Sequence, residues 1–153
     1  MEDLYDRKIA IFHASVNDRN DALKQMAERF ADEGLVKEDF YEELLKREDA
    51  FPTGICLDTC CIALPHCDAS PDYVSQVAFM SFERPVRFIE MGSDGHEIDV
   101  SMIFVFTLNK TTDQLDLMMR FMEAFKDKEL MEAFMNVDDY DEYHKLIEKG
   151  RLC

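Results

Sequence analysis

A chain of 153 residues with 47% hydrophobic content is long enough to bury one core and too apolar for a disordered polypeptide. Its formal net charge of −16 argues against a nucleic-acid backbone or an anionic lipid surface as the main partner, and suits docking of a basic protein. The longest apolar run, Val100 to Leu108, is interrupted by Ser101 and Thr107 and falls far short of the roughly 20 residues of a membrane span.

The start Met1-Glu2-Asp3 is acidic and has no apolar export segment, so a cytoplasmic protein is expected. The five cysteines are an odd number, with Cys60 and Cys61 adjacent, and in that compartment reduced thiols are expected rather than a disulfide framework. Lys8 to Ala14 reads as a first strand. Asn17 or Asp18 can cap a helix reaching about Glu33, with Ala22, Leu23, Met26, Ala27 and Phe30 on one face and Gly34 as its stop. A second helix is expected from Lys37 to Ala50, carrying Phe40, Leu44 and Leu45. Phe51-Pro52-Thr53-Gly54 breaks it, and Ile62 to Leu64 is the next strand candidate. Two more strands are expected at Val74 to Phe82 and Val86 to Met91, then a turn at Gly92-Ser93-Asp94-Gly95 and a buried strand from Ile98 to Leu108. Thr111 or Thr112 caps a helix whose core stripe is expected to be Leu115, Met118, Met119, Met122 and Phe125. Two short helices follow, at about Glu129 to Phe134 and Asp138 to Lys149, the second opening on solvated acidic residues that suit the helix dipole. Strands and helices alternate with short connections, without a repeat or a linker. The expected fold is α/β, one domain over residues 1–153, with helices on both faces of a sheet.

The chemistry concentrates at Ile62-Ala63-Leu64-Pro65-His66. Proline removes a backbone donor and favours an extended residue before it, so a strand ends here and His66 stands at its tip. Ligands gather at such sheet edges in open α/β folds. A histidine with an ordinary pKa is largely neutral at pH 7 and offers a ring nitrogen to phosphorus. Phosphoryl transfer depends on positioning and on donors that meet the charged oxygens. Arg47, at the end of the preceding helix, is the natural fork; Thr53 and Gly54 offer a hydroxyl and backbone amides.

Arg47-Glu48, Phe51-Pro52-Thr53-Gly54 and Ile62-Ala63-Leu64-Pro65-His66 together resemble the enzyme IIA component of the phosphotransferase sugar-uptake system. The likeness is to its fructose–mannitol superfamily, particularly the galactitol-type branch, and runs more loosely from about Phe40 to Ile147. The resemblance implies a mixed sheet flanked by helices and a phosphoryl relay without metal or organic cofactor. HPr donates to His66, a cysteine on a IIB partner accepts, and the sugar is met only later, at a IIC permease. Arg47 matches the family's active-site arginine. Mannitol-type members place a second histidine at the start of the helix after the long strand; here that stretch offers Gln114, which can donate a hydrogen bond but cannot titrate. Cys67 stands where many mannitol and fructose members have glycine.

Rival readings attach to the same residues. A stand-alone regulatory phospho-acceptor, whose histidine reports the phosphorylation state of the relay, would look alike. Cys56, Cys60, Cys61, Cys67 and His66 suggest zinc, but strand alternation sends Cys60 and Cys61 to opposite faces. His13, His96 and His144 read as non-catalytic, although His13 ends a strand that could reach the same sheet edge.

Overall fold

Five strands make one mixed sheet in the computed structural model, which describes residues 3–153. Met1 and Glu2 of the acidic start lie outside the described residues. In chain order the elements are β1 (Ala10–Ala14), α1 (Arg19–Asp32), α2 (Phe40–Ala50), β2 (Gly54–Cys56), β3 (Cys61–Ala63), β4 (Gln76–Ile89), β5 (Glu97–Thr107), α3 (Thr112–Ala124), α4 (Lys128–Asn136) and α5 (Tyr140–Lys149). The sheet order is β1-β4-β5-β3-β2. Pairs β1–β4 and β3–β5 are parallel, whereas β4–β5 and β2–β3 are antiparallel.

Alternation along the central strands divides the core in two. Val77, Phe79, Phe104 and Phe106 pack with residues of α3, α4 and α5, while Ala78, Met80, Ile103 and Val105 pack with residues of α1 and α2. The α/β fold with helices on both faces is thus observed. No helix among the described residues is long and apolar enough to cross a membrane.

The first helix follows its sequence closely. The Asp18 carboxylate accepts the Asp21 amide at 2.8 Å, and Ala22, Leu23, Met26, Ala27 and Phe30 are all buried. Gly34 adopts φ +70, which lets its own amide reach Ala31 and that of Leu35 reach Phe30, closing the helix end. The second helix begins three positions later than expected, at Phe40, because Lys37 to Asp39 form a turn in which the Lys37 carbonyl takes the Phe40 amide.

Three expectations are corrected. The two strands at Val74 to Phe82 and Val86 to Met91 are one continuous β4; the register with β5 shifts between Ser81 and Val86, so the exposed Pro85 lies in an irregularity instead of a turn. In α3 the buried residues are Leu117, Phe121 and Ala124, with Phe125 beyond, while Leu115 is 69% and Met119 63% exposed. Apolar residues cover more than one face of this helix, and the ring of Phe121, 5.1 Å from that of Phe104, decides which face meets the sheet. The cysteines are not all reduced: Cys56 and Cys61 are disulfide-bonded, leaving Cys60, Cys67 and Cys153 free. Antiparallel pairing sets Cys56 directly opposite Cys61 with Cα atoms 4.0 Å apart, within bonding reach of two side chains on one face.

Candidate functional site

Strand β3 stops at Ala63, and Leu64-Pro65-His66 continues beside the end of β5. The Pro65 carbonyl accepts the Phe106 amide, and His66 bridges to Phe106 in parallel fashion. The imidazole lies flat on the Phe106 ring, with centroids 4.5 Å apart and planes inclined by 12°. It is 5% exposed, so proline ends the strand without swinging the side chain into open water.

The ring's protonation state follows from its contacts. Nδ1 lies 2.7 Å from the Leu64 carbonyl oxygen, which can only accept, so Nδ1 carries the hydrogen. In the neutral ring Nε2 therefore keeps the lone pair. Burial pushes the pKa of His66 down from 6.5; the Leu64 bond opposes this, and the nearby Arg47 guanidinium reinforces it. The side chain is a neutral, oriented imidazole at neutral pH, with its lone pair on Nε2.

Arg47 sits in the last turn of α2. Its guanidinium lies over the Phe51 ring at 4.7 Å and its Nη1 donates to Asp68 Oδ1 at 2.5 Å. Its Nε is buried and has no hydrogen-bond partner among the described residues. Asp68 is itself exposed, so the pair stands at the surface where an incoming anion can compete for the arginine. A cavity of about 270 Å³ opens beside them, lined by Arg47, Phe51, Cys67, Asp68 and Tyr73 among others. The Cys67 sulfur is 3.4 Å from the Tyr73 hydroxyl, and burial pushes its thiol pKa up, so it stays a neutral wall residue.

Thr53 is placed differently from the expected phosphoryl contact. Its hydroxyl, buried, donates to Glu48 Oε1 at 2.8 Å and accepts the Leu64 amide at 3.1 Å. Its amide donates to Glu48 Oε2 at 2.9 Å. Both Glu48 oxygens thus act as acceptors, the role of a carboxylate. Burial raises the Glu48 pKa, and the two Thr53 bonds, with Arg19 at longer range, hold it back. A chain of contacts therefore runs from α2 through Glu48 and Thr53 to Leu64, whose carbonyl orients His66. Gly54 is not a flexible amide donor: an added Cβ would lie 2.6 Å from the Ile89 carbonyl, and its own carbonyl takes the Met91 amide.

Glu48 was not among the expected site residues. The available signal is its spacing, four residues beyond buried Leu44 and eight beyond buried Phe40, which sets a carboxylate in line with the apolar stripe.

Gln114 lies half-buried in the first turn of α3, and no hydrogen bond joins it to His66 among the described residues. His13 stands at the opposite end of the sheet, because β1 runs parallel to β4 and β4 antiparallel to β5. It is exposed, with φ 52 at a register shift in β1. His96 is exposed in its turn, and His144 pairs with Glu148. Among the described residues no group of three or more His, Cys, Asp or Glu is arranged to hold a metal. Cys60 packs toward the α3–α5 core and Cys61 toward the α1–α2 core, on opposite faces.

Comparison with known proteins gives this geometry its context. The family described as "Phosphoenolpyruvate-dependent sugar phosphotransferase system, EIIA 2" matches residues 4–150. The chain belongs to this family. Membership makes it a phosphotransferase component of the sugar-uptake system. The galactitol-specific EIIA component of Escherichia coli K12 is 25% identical over 122 residues, covering 80% of this chain and 81% of that protein. Among solved structures, the mannitol IIA in complex with phosphorylated IIB from Escherichia coli superposes with a TM-score of 0.73 at 18% identity, covering 92% of this chain and 94% of that one. The nitrogen regulatory protein IIA-Ntr of Neisseria meningitidis gives 0.75 at 22% identity, over 92% and 94% of the two chains. At such identities these two structures speak for the shared fold alone.

Proposed function

We propose that this EIIA component is a cytoplasmic carrier in which Nε2 of His66 takes a phosphoryl group from phospho-HPr and passes it to a cysteine of a IIB partner. The observation that carries the reading is the Nδ1 bond to the Leu64 carbonyl, which leaves Nε2 as the free base. In the first step the Nε2 lone pair forms a bond to phosphorus, and the phosphorus–nitrogen bond of the donor breaks, its electron pair returning to the donor imidazole. The positive charge that develops on the His66 ring is held at Nδ1–H by the Leu64 carbonyl dipole. In the second step the acceptor's thiolate attacks phosphorus, and the bonding pair returns to Nε2.

Arg47 is the clamp. The phosphoryl oxygens replace Asp68 as the guanidinium's partner, and the Nε, buried and without a hydrogen-bond partner among the described residues, supplies a further donor. Because Asp68 competes for the same donor, phosphohistidine is held without being trapped, which a two-way relay requires. Thr53 and Glu48 are positioning residues acting through Leu64. The net charge of −16 suits a basic donor. No metal or organic cofactor takes part. The galactitol-specific relative favours transport over a free-standing regulator; transfer onward to a IIB protein is the discriminating reaction.

Incubation with phosphoenolpyruvate, enzyme I and HPr is expected to add one acid-labile phosphoryl group by intact mass, and none to His66→Ala. An unmodified wild type, or a labelled variant, contradicts the assignment.

A further inference from the structure

The hairpin leading into His66 carries chemistry that the relay does not use. Cys56 and Cys61 are register partners across β2 and β3, and their sulfurs are bonded. Cys56 is exposed and Cys61 half-buried, so a small thiol reaches the bond from solvent. Each strand of the hairpin has three residues, and β2 is the last strand of the sheet. Beyond β3, this strand is tied by the bridge from Gly54 to Glu90 and by the Met91 amide on the Gly54 carbonyl. So short a pairing is marginal alone, and the disulfide fixes its register. That register sets Gly54 opposite Ala63 and brings Thr53 beside Leu64, the residue whose amide Thr53 accepts and whose carbonyl orients His66.

The third thiol does not compete. Cys60 faces the other core, and burial pushes its pKa up, leaving little thiolate to attack its neighbours. In a cytoplasmic protein, moreover, a disulfide is usually transient and redox-sensing instead of a permanent brace.

We infer that Cys56 and Cys61 form a reversible modification site, a dithiol–disulfide pair whose oxidised form holds the Leu64–His66 segment in its reactive arrangement and whose reduced form loosens it. The consequence rests on His66 as the phosphoryl acceptor; the thiol chemistry does not. Reduction needs a dithiol reductant, which supplies two electrons and two protons. Its thiolate attacks one cysteine sulfur and the Cys56–Cys61 bond breaks. Its second thiol then displaces the mixed disulfide, so the reductant leaves as a disulfide and both cysteines as thiols. A small disulfide such as oxidised glutathione runs the exchange in reverse.

The test uses the full chain, oxidised with glutathione disulfide or reduced with dithiothreitol and then freed of reagent. Denaturation in N-ethylmaleimide is expected to add labels only to Cys60, Cys67 and Cys153 of the oxidised chain, and to all five cysteines of the reduced one. Labelling of all five in the oxidised chain overturns the site. Phospho-HPr is expected to label the reduced chain about threefold more slowly or worse, the loss that follows a less well-held nucleophile. Equal rates for the two forms of the wild-type chain overturn the coupling, and this comparison needs no variant to fold. Cys60→Ser is expected to keep the redox response, and the double substitution Cys56→Ser, Cys61→Ser to lose it; the reverse pattern overturns the pairing. The His66 imidazole signals, followed by NMR in both forms, are expected to move on reduction, and unmoved signals overturn the coupling. A chain unlabelled in both forms refutes the carrier reading of His66, while the thiol labelling and the imidazole signals still decide the redox site.

Discussion

The α2 side and the α3 side of His66 contribute opposite kinds of matter to it. On the α2 side stand the polar groups, Arg47 with Asp68 and the buried Glu48–Thr53 pair that reaches Leu64. On the α3 side stands carbon: Phe106 under the imidazole and Phe121 stacked beyond it, with ring centroids 6.1 Å apart. Burial lowers the pKa of the ring, and the Leu64 carbonyl, tied through Thr53 to Glu48, aims it. The proposed phosphoryl acceptor needs both, because it has to be neutral, oriented and reversible.

Removing the wall should have the largest effect on stability. Phe106→Ala is expected to cost about 3–5 kcal/mol in chemical denaturation. With water admitted to the ring, the His66 pKa should rise toward its ordinary value in an NMR titration; an unchanged pKa would show that the wall is not what lowers it. Cutting the polar side at its surface should leave the fold intact and the chemistry impaired. Arg47→Ala is expected to slow labelling by phospho-HPr about 100-fold, and Arg47→Lys should recover only part of that rate because the two-armed geometry is lost.

Breaking the polar side at depth should divide its effect between the two properties. Thr53→Val leaves a Glu48 oxygen and the Leu64 amide without partners, for a stability loss of about 1–3 kcal/mol. Labelling should slow as well, with the rate partly restored in Thr53→Ser. A stability loss with an unchanged labelling rate would reduce Thr53 to a structural strut.

The pH dependence has a defined sign. Because the His66 pKa is lowered, its free base persists below pH 6.5, and initial labelling rates should be flat from about pH 8 to 6.5 before falling. The unfolded chain takes up the proton that the buried ring refuses, so His66 also lowers stability as pH drops below about 6.5. A rate that already declines between pH 8 and 7 would contradict a depressed pKa. The smallest effect is expected at Gln114, which lies on the α3 side without a bond to the ring: Gln114→Ala should change the labelling rate by less than about twofold.

How well each region could be read from the chain follows from its composition. In α1 a single apolar stripe runs through an otherwise polar helix between a capping Asp18 and a terminating Gly34, so one face could be buried. In α3 apolar residues occupy several faces, and periodicity alone could not choose between Leu115–Met119 and Leu117–Phe121; the aromatic fit against Phe104 and Phe106 made the choice. His66 and Arg47 were legible because proline and the helix end mark their positions. The carbonyl that orients the imidazole was not, since it belongs to Leu64, where the side chain carries no hint of it. Glu48 gave one signal only, its spacing in line with Phe40 and Leu44 on a helix rich in other acids. The Cys56–Cys61 bond depended on a hairpin register that a three-residue β2 is too short to announce.

The most direct measurement is the site of the bond in the loaded chain, read by phosphorus and nitrogen NMR on protein carrying labelled histidine. The account predicts phosphorus on Nε2 of His66, with Nδ1 still protonated and hydrogen-bonded. Phosphorus on Nδ1, or on any residue other than His66, would contradict it.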